Sequence, residues 1–162
     1  MVIYDAAKVA ITCDFQDSAS FSGLWSWNLE RVTERSRSRM GWSVDFAALV
    51  EREYRRFMAL GVIATGKTLG MRGPVDELWH EHILFTRDYA SFCNSIAGKF
   101  IHHEPAEDGA PKGVSSYQLT LLLLEQHFGT APREIWPAVG NASCGGDNCA
   151  MCDKADVDES IH

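Results

Sequence analysis

The sequence has no stretch approaching the ~18 consecutive apolar residues that cross a membrane, and its leucine run Leu121–Leu124 falls far short of one. Its first residues, Met1-Val2-Ile3-Tyr4-Asp5, carry an acid where a signal peptide would be positively charged. Secretion is therefore not expected, and the cytoplasm is the expected compartment. Positive charge is in short supply: Lys+Arg 15 against Asp+Glu 22 gives a net charge of −7 and a pI of about 5.3. That is the wrong balance for holding a phosphate backbone, so nucleic acid is not an expected partner, and neither is a membrane. The cysteines are odd in number, five in all, which with no sign of export argues against a disulfide framework. Internal repeats and a strand–helix–strand alternation are both missing, which speaks against a parallel sheet.

What remains is 162 residues, 46% hydrophobic and 10% aromatic, enough for one globular domain. Apolar residues at three-four spacing define its helices. Four main helices are predicted, at about 24–39, 43–60, 74–97 and 115–128, packed as a small irregular, mainly α bundle. Ser43 can cap the second, and Phe46, Leu49, Val50, Tyr54, Phe57 and Leu60 form its buried face before Gly61 ends it. Pro74 opens the third at its first position with Asp76 and Glu77 in the first turn, and Gly98 stops it. Ser115 or Ser116 caps the fourth, Gly129 ends it, and Pro132 begins a last short helix with Ile135 and Trp136. Residues 1–23 leave a strand or a packed arm open. Residues 1–137 are read as the helical domain and 138–162 as a Gly/Asp/Cys-rich tail. Arg31, Arg35, Arg37, Arg39, Arg52, Arg55 and Arg56 alternate with Glu30, Glu34, Glu51 and Glu53, the pattern of a salt-bridged helix surface.

Gly61-Val62-Ile63-Ala64-Thr65-Gly66-Lys67-Thr68 fits the phosphate-loop pattern G-x4-G-K-[ST]. In such a loop a buried strand delivers the first glycine and a helix starts at the Lys-Thr, so that backbone N–H groups cradle the phosphates. Here a helix precedes the motif, and Gly70, Gly73 and Pro74 interrupt the stretch after it. It reads as a loop between helices, and no nucleotide is expected.

The chemistry-bearing residues gather on the third helix and just beyond it. Asp76, Trp79, His80, His82, Tyr89 and Cys93 are followed by Gly98-Lys99-Phe100-Ile101-His102-His103. This Trp-His-x-His helix with its later histidines resembles the uncharacterised glycine-rich domain protein-like family, over about residues 43–137. The resemblance implies a helical fold and directs attention to those residues without naming a reaction.

Helical geometry sorts them further. His80 and His82 stand about 200° apart around a straight helix and cannot face one point unless it kinks. Asp76 and His80, four apart, share a face. With His102 or His103 folded back beyond Gly98, they would form a carboxylate/imidazole set suited to Zn, Fe or Mn, and a kink would recruit His82. The expected metal ligands are thus Asp76, His80, His82, His102 and His103, in a pocket walled by Trp79 and Tyr89. Two other readings stay open: a metal-free hydrogen-bonded network, and acid–base catalysis by His80 oriented by Asp76. Cys144-x4-Cys149-x2-Cys152 is a second candidate, for a soft metal or for redox chemistry. The expected function is a small metal-binding helical protein, a metal-dependent oxidoreductase or hydrolase. The alternative is a non-catalytic interaction module whose cysteine tail engages a protein partner or is itself modified.

Overall fold

The computed structural model describes residues 21–64, 66–103 and 115–138. The expected site at Cys144, Cys149 and Cys152, and nearly all of the 138–162 tail, lie outside them. Six helices are present among the described residues: α1 (Ser22–Ser26), α2 (Glu30–Met40), α3 (Val44–Ile63), α4 (Pro74–Leu84), α5 (Thr86–Ala97) and α6 (Ser116–Phe128), with no strand. No helix among these residues is long and apolar enough to cross a membrane. The mainly α reading holds.

Helix α3 is the axis of the bundle, in contact with α1, α2, α4 and α6. Its Val50, Tyr54, Phe57, Met58 and Leu60 share one buried core cluster with Leu24, Val32, Val75, Leu78, Phe92, Leu124, Ile135 and Trp136. Each fully buried aliphatic side chain contributes about 1.5–3 kcal/mol, so this face, rather than helix propensity, holds the elements together.

The helix ends follow local chemistry. The Ser43 hydroxyl accepts from the Phe46 N–H at 3.1 Å. Ser115 and Gln118 form a reciprocal capping box. Gly98 closes α5 in the left-handed region, where a side chain would be strained.

Two of the predicted helices are each broken in two. The first divides at residues 27–29. Trp27 turns extended, Asn28 Oδ1 accepts the Glu30 N–H at 2.9 Å, and the Arg55 guanidinium binds the carbonyls of Leu24 and Trp27. A side chain from α3 thus satisfies the carbonyls that a continuing helix would have used. The third divides at Phe85, whose ψ of 60° leaves the helical region while its N–H reaches back to the His82 carbonyl. Helix α3, in contrast, runs three residues past the sequence expectation: Gly61 stays helical, and the positive φ falls at Gly66. Beyond Pro132 there is only one turn, with the N–H groups of Ile135 and Trp136 both on the Pro132 carbonyl.

Candidate metal centre

Helix α4 begins at Pro74, and its first two turns carry Asp76 and His80 on one outward face. From the far side, the segment after Gly98 comes back over that face and delivers His103. Both imidazoles converge on one carboxylate oxygen: His103 Nε2 lies 2.9 Å and His80 Nδ1 3.7 Å from Asp76 Oδ1. One ligand atom from each of the three residues falls within 4.8 Å of the others. The two imidazole rings lie 4.5 Å apart, centre to centre. Asp76 and His103 are partly buried and His80 is half exposed, so one side of the cluster opens to water. Donors about 2.0–2.1 Å from a tetrahedral ion sit about 3.3 Å from one another. The two spacings to Asp76 Oδ1 bracket that value.

The wall of the cluster is aromatic. The Trp79 ring packs 4.3 Å from the His103 ring, and its Nε1–H donates to the Tyr89 hydroxyl at 2.9 Å. Tyr89 in turn donates to the Ile101 carbonyl at 2.5 Å. Burial raises the pKa of Tyr89, which keeps it a donor at neutral pH.

His82 and His102 do not join this cluster. His82 points to the opposite side of α4, where it is fully buried. Its Nε2 lies 2.9 Å from Asp88 Oδ2 and its Nδ1 2.8 Å from the Tyr54 hydroxyl. Since a carboxylate accepts, Nε2 carries the proton and Nδ1 accepts from Tyr54. Burial lowers the pKa of His82 despite Asp88, so the ring is neutral. The bend at Phe85 does not turn His82 toward His80; it lets Asp88 approach His82 from α5, with the Trp27 indole also donating to Asp88 at 3.4 Å. His102, one residue from His103, is exposed and packs on Phe100. Cys93 is buried, and burial raises its pKa, so the thiol form prevails.

Two carboxylates are buried where the sequence pattern does not predict it: Glu53, expected on the salt-bridged surface, and Glu81. Glu81 is 2% exposed and is clasped by Arg35 and Arg39 from α2. Glu53 is fully buried, paired with Arg52 and Arg56, and accepts the Trp136 indole N–H at 3.0 Å. Their signal was visible: each acid stands at an apolar position of its helix, Glu53 between Val50 and Phe57, and Glu81 three after Leu78. The arginines read as surface partners hold them in place.

No curated protein and no solved structure matches this chain. A sequence profile of the UCP032817-like family does, across residues 22–116, from the start of α1 to the start of α6. The matched span contains Asp76, His80 and His103 as well as the Tyr54–His82–Asp88 network. It corrects the resemblance drawn from the Trp-His-x-His helix, since no glycine-rich domain family is found. With well over half of its residues matched, the chain belongs to the UCP032817-like family, an uncharacterised one.

Proposed function

We propose that this chain is a small metal-binding helical protein of the cytoplasm, in which Asp76, His80 and His103 hold one divalent transition ion. The observation that carries the reading is the convergence of two imidazole nitrogens on one carboxylate oxygen, at 2.9 and 3.7 Å. Two imidazoles and a carboxylate suit Zn, Fe or Mn. Three protein donors with a solvent-facing side leave room for water or substrate, the pattern of catalytic rather than structural sites. A Zn ion held there would supply Lewis acidity and acidify a water molecule, chemistry that supports a hydrolase. With iron the same donor set supports an oxidoreductase.

A second reading also has an observation in its favour. At 2.9 Å the His103 Nε2–H satisfies Asp76 without any ion, so the trio could be a clamp in a non-catalytic interaction module. Elemental analysis of the untagged full chain separates the two. We expect about one equivalent of Zn or Fe, lost in His80→Ala with the helical content retained. Folded, metal-free wild type would rule out the metal reading and leave the clamp.

A further inference from the structure

We infer that Tyr89, working through Trp79 and the Ile101 carbonyl, is a positioning residue that sets the affinity of the Asp76–His80–His103 site. This rests on the metal-binding reading above. His103 is the one member of the trio that no helix positions. It lies on an irregular stretch in which Lys99, Phe100 and His102 are exposed and no helical hydrogen bond among the described residues fixes the chain. A ligand on such a stretch would sample many positions, and each would weaken binding because the ion must restrict them again.

Ile101 packs against the core and the Cys93 thiol lies beside its backbone, but one hydroxyl ties the stretch to the wall of the site. Tyr89 Oη donates to the Ile101 carbonyl, two residues before His103, at 2.5 Å, and accepts the Trp79 indole N–H at 2.9 Å. Both side chains are nearly fully buried, 1% exposed for Tyr89 and 7% for Trp79, so water does not compete for these bonds. The Trp79 ring, fixed by that bond, then supports the His103 imidazole at 4.3 Å. Tyr89 therefore fixes His103 from two directions: the backbone through Ile101 and the imidazole through Trp79. Trp79 belongs to α4, which also carries Asp76 and His80, so the hydroxyl ties the ligand outside the helices to the same rigid element as the other two. Groups that orient metal ligands from outside the coordination sphere typically control affinity by about 10–100-fold.

The test uses the full chain with Co(II) as probe, titrated against a competing chelator. The visible bands report ligand geometry, and thiolate charge-transfer bands in the near ultraviolet reveal any ion held by Cys144, Cys149 or Cys152. Tyr89→Phe keeps the ring and removes the hydroxyl. It should bind one equivalent at the nitrogen/oxygen site about 10–100-fold more weakly, with altered visible bands. Trp79→Phe, which removes the indole donor to Tyr89 and keeps an aromatic ring, should move affinity in the same direction. Tyr117→Phe is the control for a merely structural loss: its hydroxyl donates to the Pro137 carbonyl at 2.7 Å, and its removal should lower the melting temperature while leaving Co(II) affinity unchanged. Wild-type affinity and bands in Tyr89→Phe, or an equal loss in Tyr117→Phe, would overturn the positioning role and leave the metal reading standing. Wild type without a nitrogen/oxygen-bound Co(II) would overturn both.

Discussion

At the scale of single residues, the two histidines of the Trp-His-x-His run do opposite things because a helix sends them to opposite sides. His80 faces water beside Asp76, while His82 is sealed between Tyr54 and Asp88. The buried one has a consequence for stability. Its folded-state pKa lies below the ordinary 6.5, so as the pH falls the unfolded chain takes up that proton before the folded one does. The stability that neutral His82 contributes is complete above about 6.5 and is lost as the pH drops from there through the depressed folded value. Urea unfolding in the presence of a chelator, at about pH 7.5 and about pH 5.5, reads this directly. Wild type should lose stability on acidification, and His82→Gln should lose less. His127 shifts in the same direction but is common to both proteins and cancels. Equal losses would mean that His82 is not held neutral by its surroundings.

At the scale of elements, apolar spacing made α3, α4, α5 and α6 legible in the sequence. Capping and stop signals at Ser43, Pro74, Gly98, Ser115 and Gly129 placed five of their eight ends. The breaks at residues 27–29 and at Phe85 were not legible, because no Gly or Pro marks them. The first depends on Arg55, about thirty residues away, reaching the freed carbonyls of Leu24 and Trp27. The candidate site was legible as far as Asp76 with His80, a same-face pair. The choice of His103 over His102 was not, since it depends on how an irregular segment lies against Trp79. Loop-to-helix packing yields a further prediction. The Gly70 carbonyl accepts from the Thr120 hydroxyl at 2.7 Å, and a Cβ added at Gly70 would lie 2.6 Å from both Ser116 Oγ and the Tyr117 backbone nitrogen. The hydroxyl could rotate away; the backbone could not. Gly70→Ala should force the loop off the start of α6 and cost about 1–3 kcal/mol, the range for overpacked sites, measured by chemical denaturation. An unchanged midpoint would show that the loop has room to shift.

At the scale of the molecule, α4 separates two environments. Its inner side is locked by the Tyr54–His82–Asp88 network and by Glu81 under Arg35 and Arg39. Its outer side presents Asp76 and His80 to the returning segment that bears His103. A rigid interior beneath an open cluster is the arrangement a metal site needs, with ligands held while one side stays exchangeable. The proposed ion site is this nitrogen/oxygen cluster. Zinc-edge X-ray absorption of the full chain loaded with one equivalent of Zn tests it most directly, because the two candidate donor sets differ in bond length. The expected result is a nitrogen/oxygen shell at about 2.0–2.1 Å that is lost or rearranged in His103→Ala. A sulfur shell at about 2.3 Å, unaffected by His103→Ala, would place the ion on cysteine and contradict it.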